Sequence, residues 1–392
     1  MENLLAALLL IWGNTSAGQS DVTLDKVVAA SLTPPPIVQA DQNKPAVSAD
    51  DYLRPASKED PQSDAPLIKG VYTTAYSAGG SRFQQLVKLM DDTDLNAMVI
   101  DVKDDKGYIT YKTGNPDLEK TGAEQNFIGD IGSVISTLKQ HDIYPIARIV
   151  VFKDTILANK RPDLSFRNPD GSIWTNGKKD SFVNPYMKEV WDYNIEVAKE
   201  AAKQGFKEIQ FDYVRFPEGF EKRADTLTYT HDKRTRINAV SEFVKYAREQ
   251  LDPLGVRVSV DIFGYAAAVP AAEGIGQDFQ KIAMNVDVLC PMIYPSHYST
   301  GWYGSNVPDA QPYKTIDGAS KDTWKKLNPL NGLKPLVRPW IQDFTATWVP
   351  GHIQYDVAAV NAQIKALKDN GIDQFLLWSS SNKYTPGANY TP

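Results

Sequence analysis

Lys207-Glu208-Ile209-Gln210-Phe211-Asp212-Tyr213-Val214-Arg215-Phe216-Pro217 runs a short strand-like segment into an acid, an aromatic ring and a guanidinium before Pro217 breaks it. A strand that ends in such groups is built as the edge of a site rather than as plain core. The pattern recurs, with Asp101 after Ala97-Met98-Val99-Ile100, Asp261 after Val258-Ser259-Val260, and Asp343 after Pro339-Trp340-Ile341-Gln342. Acids at the carboxyl ends of successive parallel strands share one mouth when the sheet closes, so the repetition predicts an α/β fold, a (β/α)8 TIM barrel with its active face at those ends.

Working outward, apolar strand-like runs fall at 68–73, 97–102, 143–151, 207–213, 256–262, 286–293, 335–341 and 373–378. Helical periodicity fills 81–91, 129–141, 186–204, 235–251, 277–284 and 355–370 between them. In the third of these, Val190, Trp191, Asn194, Val197, Ala198 and Ala201 share one side, and the last stops at Asn370-Gly371. No nucleotide-type Gly-rich turn follows the first strand, which favours a closed barrel over an open doubly wound sheet. Two insertions, 103–126 and 152–185, follow the second and third strands on the active face.

The 392 residues accommodate such a barrel of roughly 250 residues or more plus an appendage. Leu4 to Trp12 is a short apolar run followed by Thr15-Ser16-Ala17, the form of a signal peptide over 1–17, although the stretch before it carries Glu2 and no Lys or Arg. Residues 18–66, rich in Ala, Asp, Ser and Pro and containing Pro34-Pro35-Pro36, have the composition of a disordered linker, which leaves 67–392 as the catalytic-type domain. This order predicts an exported protein, extracellular, periplasmic or associated with the cell envelope. A net charge of -6 and a pI near 5.4 argue against a nucleic-acid partner. Cys290, the single cysteine, excludes an internal disulfide and a Cys-rich metal site, and its apolar run reads as packing. The four histidines His141, His231, His297 and His352 lack zinc-ligand spacing, and no Gly-x-Ser-x-Gly elbow occurs, so neither a metal nor a cofactor is expected.

Acids brought together repel, which raises the pKa of at least one and creates a proton donor beside an ionised group. Glycoside hydrolysis uses that pairing. Asp212, with Arg215 and Tyr213 near it in sequence, is the candidate nucleophile or base, and Asp261, between Val260 and Phe263-Gly264, the candidate acid. Arg148, interrupting an apolar strand, must meet a carboxylate or a ligand. Asp101 is assigned to substrate positioning, whereas Asp104 and Asp105 read as a solvated turn. Asp343, Tyr76 and His297 lie at or beyond strand ends, as do Tyr294 and Trp378, whose flat rings suit a sugar subsite. Half of the aromatic residues near strand ends would serve as packing.

With these motifs in place, residues 67–390 resemble the bacterial glycosyl-hydrolase-like domain family, a (β/α)8 family near the α-amylase-like hydrolases. The resemblance rests on Lys69-Gly70-Val71-Tyr72, Val99-Ile100-Asp101-Val102-Lys103-Asp104, Ala147-Arg148-Ile149-Val150, Phe211 to Pro217, Asp261-Ile262-Phe263-Gly264, Pro291-Met292-Ile293-Tyr294-Pro295 and Leu377-Trp378. It implies cleavage of O-glycosidic bonds in a polysaccharide or oligosaccharide. Met292-Ile293-Tyr294 and the final Trp378 are also similar to chitinase-like barrels, but the repeated-acid motif ending in glutamate is missing, since Glu218 comes only after Pro217. The competing reading is a carbohydrate-binding or cell-wall scaffold protein that keeps the barrel and hydrolyses nothing.

Overall fold

In a computed structural model, which describes residues 66–390, parallel strands close into a barrel. The strands are β1 (Lys69–Thr73), β2 (Ala97–Lys103), β3 (Tyr144–Val150), β4 (Glu208–Asp212), β5 (Arg257–Phe263), β6 (Val288–Met292), β7 (Leu336–Val337), β8 (Trp340–Gln342) and β9 (Phe375–Trp378). They pair in the order β5-β4-β3-β2-β1-β9-β8-β6, the β5–β6 pairing closes the ring, and β7 also pairs with β6. The expected segments 1–17 and 18–66 lie outside the described residues, apart from Pro66 itself.

The strand expected at 335–341 is two pieces rather than one. Pro339 has no N–H to give the ladder, and Arg338 turns into the barrel, where its Nη1 donates to both oxygens of Glu208 at 2.8 and 2.9 Å. The ring survives the break because Leu376 N–H donates to Pro339 O at 2.8 Å.

Helices α1 (Arg82–Asp91), α2 (Ile131–Gln140), α3 (Lys188–Gln204), α4 (Arg236–Leu251), α5 (Phe279–Ala283), α6 (Pro312–Leu327) and α7 (Val357–Asp369) connect the strands. Several start on side-chain caps, such as Asp130 accepting from Ser133 N–H and Asp356 from Ala358 and Ala359 N–H. Helix α6 was not expected from the sequence. Its buried face is built from Thr315, Ile316, Ala319, Ser320, Thr323 and Leu327, too polar to register as an apolar stripe. Among the described residues β9 is followed by no helix; residues 379–390 instead form a strap over the barrel. Nor is any described helix long and apolar enough to cross a membrane.

Strand alternation divides the core in two. Ile68, Val99, Ile146, Val288, Cys290 and Leu376 fill the barrel interior, while Val71, Met98, Ile100, Ala147 and Phe211 face outward under the helices. Cys290 is packing, buried and accepting from Gln210 Nε2 at 3.3 Å. An irregularity in the β2–β3 pairing between Asp101 and Lys103 breaks the alternation. Asp101 stays inside the barrel, whereas Lys103 points outward, its Nζ 2.7 Å from Asp154 Oδ2 and 3.1 Å from Asn194 Oδ1 of α3.

Candidate active site

The uppermost inward positions carry Tyr72 of β1, Asp101 of β2, Arg148 of β3, Asp212 of β4, Asp261 of β5, Trp340 of β8 and Trp378 of β9. Asp101 and Arg148 are direct register partners on neighbouring strands, so their side chains emerge side by side on the same face. Arg148, 1% exposed, is the hub. Its Nη1 donates to Asp101 Oδ1 at 2.7 Å, and its Nε and Nη2 donate to Asp212 Oδ2 at 3.0 and 2.6 Å. Nη1 and Nη2 also reach Asp105 Oδ2, each at 3.2 Å. The five N–H donors of a planar guanidinium match these five contacts, whereas a lysine ammonium has three.

Each surrounding acid has its own environment. Burial pushes the Asp101 carboxyl up to about 7 against the opposing pull of Arg148, and the Tyr72 hydroxyl donates to its Oδ2 at 2.6 Å. Burial, then the nearby charge of Asp212, raises Asp261 well above the usual carboxylate range; Trp340 Nε1 donates to Asp261 Oδ1 at 2.8 Å. Asp105 goes the other way: burial alone would raise it, but the charges of Lys153 and Arg148 hold it low. A cluster that pushes two carboxyls, Asp101 and Asp261, toward the neutral form beside a third, Asp105, that cations hold ionised has the composition needed for acid–base or nucleophilic chemistry.

Strand β4 ends at Asp212, and Tyr213 adopts φ 52°, the left-handed region that a bulky residue seldom enters. Its backbone N–H donates to Asp212 Oδ1 at 2.6 Å. Lys153 Nζ donates to the Tyr213 hydroxyl at 3.4 Å and pairs with Asp105 at 3.1 Å. Burial, relieved in part by Lys153, raises this phenol to about 12.

Of the residues singled out in the sequence, Asp101, Arg148, Asp212 and Asp261 converge. Trp378 lies beside them, its ring stacked on Tyr72 at 4.1 Å and 5.6 Å from the Arg148 guanidinium carbon. Tyr294 and His297 form the adjoining wall, 5.1 Å apart, with Tyr294 6.4 Å from Trp378. Burial, together with the charge of Lys178, lowers His297 to about 3, so its imidazole is neutral. Arg215 does not supply the cation on Asp212. It pairs with Glu218 at 3.0 Å and lies over the rings of Tyr213 and Phe263. Asp343 accepts the Thr385 backbone N–H at 3.0 Å and also the Thr385 hydroxyl. Tyr76 stands on the mouth side, 67% exposed. Asp105 is part of the cluster rather than of a solvated turn; Asp104 alone caps that turn, accepting from Lys106, Gly107 and Tyr108 N–H. Tyr72 and Lys153 were also missed. Tyr72 carries the one usable signal, since its position in the first strand matches that of the other inward-facing groups.

A closed parallel barrel whose mouth holds this carboxylate cluster places the chain among glycoside-hydrolase-like (β/α)8 proteins. The chain belongs to the family described as "Putative glycosyl hydrolase domain", whose sequence profile matches residues 70–384. No curated protein matches it. It is similar to a hypothetical protein from Ruminiclostridium thermocellum ATCC 27405, at 36% identity over 49% of this chain and 96% of that one, with a TM-score of 0.45. The PgaB (BpsB) glycoside hydrolase domain from Bordetella bronchiseptica aligns at 13% identity over 80% of this chain and 94% of its own, with a TM-score of 0.54. The β-galactosidase from the psychrophilic Marinomonas ef1 aligns at 13% identity over 80% of this chain and 54% of its own, with a TM-score of 0.55. At that identity the last two share the fold alone.

Proposed function

We propose that the protein is a glycoside hydrolase that cleaves O-glycosidic bonds of a polysaccharide, with Asp261 as general acid and Asp212 as nucleophile or base. The observation that carries this reading is the convergence of two buried carboxyl groups at the barrel mouth, Asp261, which Trp340 Nε1 holds and which desolvation and the nearby charge of Asp212 push toward its neutral form, and Asp212, to which Arg148 donates twice. Asp261 gives its proton to the glycosidic oxygen as the bond to the anomeric carbon breaks. Asp212 either attacks that carbon or takes a proton from the water that does. Asp101, held by Tyr72 and Arg148, orients sugar hydroxyl groups, with the Trp378 and Tyr294 rings beside it. The apolar run Leu4 to Trp12 and the linker composition of 18–66 support export and work at or beyond the cell envelope.

A second reading has its own support: both oxygens of Asp212 are already engaged, by Arg148 and by Tyr213 N–H, an arrangement that also suits a binding protein. Incubating residues 66–392 and the Asp212→Asn and Asp261→Asn variants with cell-wall and storage polysaccharides, while measuring new reducing ends, separates the two. Release by the parent alone is the expected result, with turnover in each variant down by about 10² or more. Release by all three rejects these roles, and glycan binding without release by the parent selects the binding protein.

A further inference from the structure

A run of rings in contact leads away from the acids in one direction, and a separate ring pair stands on the other side of β1. From Tyr72, which bonds Asp101, the Trp378 ring lies at 4.1 Å, Tyr294 at 6.4 Å beyond it, and Phe344 at 6.2 Å beyond that. Phe344 is stacked on Trp348 with centroids 5.9 Å apart and planes 19° apart, in the loop that follows β8. On the opposite side, four residues after Tyr72, Tyr76 rests on Phe127 with centroids 4.6 Å apart.

Packing does not explain Tyr76, which at 67% is the most exposed of the large apolar side chains among the described residues. Its support is nevertheless fixed. The helical turn Ala75–Ala78 is capped by Thr74, whose hydroxyl accepts Ser77 N–H at 3.2 Å. Gly79, at the end of that turn, lies so close to the second-strand insertion that a Cβ there would sit 2.1 Å from Phe127 O. A rigidly mounted, solvent-facing ring is an aromatic platform, and the CH faces of pyranose rings are apolar surfaces of the kind such a platform stacks.

We propose that Tyr76 with Phe127, and Phe344 with Trp348, are two stacking subsites at opposite ends of one track that crosses the barrel mouth past Asp101. The track takes an internal stretch of a pyranose polymer, so cleavage is within the chain rather than at its end. This inference rests on the glycan reading of the site above and adds where the chain lies and how it is cut.

The test is electrophoresis of the parent, Tyr76→Ala, Tyr76→Phe and Trp348→Ala through native gels containing soluble starch, arabinoxylan, mixed-linkage β-glucan or glycol chitin. Urea midpoints for each protein certify folding, and the exposed Tyr76 makes its Ala variant the primary one. The expected result is retardation of the parent by at least one polymer. Each Ala variant then binds about three- to tenfold more weakly, and Tyr76→Phe restores binding. For a polymer that is hydrolysed, viscosity falls well before reducing ends accumulate. Retardation without release of reducing ends discards the hydrolase and leaves the track standing. Hydrolysis with both Ala variants binding like the parent discards the track and leaves the hydrolase. Retardation by none of the polymers, or viscosity falling only in step with reducing ends, overturns the inference.

Discussion

Asp101 shows what a closed barrel does to a single carboxyl. Its pairing with Arg148 at 2.7 Å would hold an exposed acid ionised, yet desolvation wins and the group is pushed up to about 7. The stability consequence has a definite sign. Below about pH 4 the carboxyl is protonated in the folded and the unfolded chain, and its shift contributes nothing. Between about pH 4 and 7 the unfolded chain releases the proton while the folded one keeps it, so stability falls by about 1.4 kcal/mol per pH unit and levels off above that window. Asp101→Asn is neutral at every pH and lacks this slope. Its unfolding free energy relative to the parent should rise by about 4 kcal/mol between pH 4 and 8. Urea unfolding of both proteins at four or five pH values measures that difference, and parallel curves would mean that Asp101 titrates alike in both states.

The elements that position the site owe much to close backbone approach, and Gly79 gives the sharpest test. Its φ of -88° suits any residue, so an alanine there would ordinarily stabilise by about 0.4–1 kcal/mol through the unfolded chain. The 2.1 Å approach to Phe127 O reverses that expectation. Gly79→Ala should lower stability by about 1–3 kcal/mol, read as a drop in the urea midpoint, and a rise would show that the turn and the insertion move apart freely. Contacts of this kind are what the sequence conceals. The alternation in β2 to β5 made Asp101, Arg148, Asp212 and Asp261 legible as one converging set, because strand period and parallel order suffice to place them. Asp105 was not legible: Asp104 and Asp105 are the same residue type in one turn, and only Arg148 and Lys153, brought from β3 and its following loop, distinguish them. Helix α6 escaped for a similar reason. Its Gly318, a helix-weakening residue, is where the Tyr303 ring packs, 2.2 Å from where a Cβ would be. The division of the seventh strand could have been anticipated from Pro339, but the destination of Arg338 could not, since Glu208 is 130 residues away.

At the scale of the whole molecule, the strap 379–390 ties the end of the described chain to the barrel and to the site. Asn382 Nδ2 donates to Tyr72 O at 3.0 Å and its Oδ1 accepts Thr74 N–H at 3.0 Å, while the Tyr384 hydroxyl also donates to Tyr72 O. Tyr72 is the residue whose hydroxyl holds Asp101, so the strap and the acid cluster share a support. Its other anchor is Asp343, a largely buried carboxylate that Thr385 satisfies with a backbone N–H and a hydroxyl. Thr385→Val keeps the shape and the N–H bond and removes only the hydroxyl donor. Loss of a hydrogen bond to a buried charged group costs about 1.5–3 kcal/mol, so the urea midpoint should fall. Protease cleavage should concentrate within 379–390, because that segment opens before the barrel does. Pairing the change with Asp343→Asn separates the contact from general loosening, since the two effects should then add to less than their sum. Full additivity, or a Thr385→Val protein as stable and protease-resistant as the parent, would show that the Thr385 hydroxyl adds nothing and that the Thr385 N–H, with Asn382 and Tyr384 at β1, suffices to hold the strap.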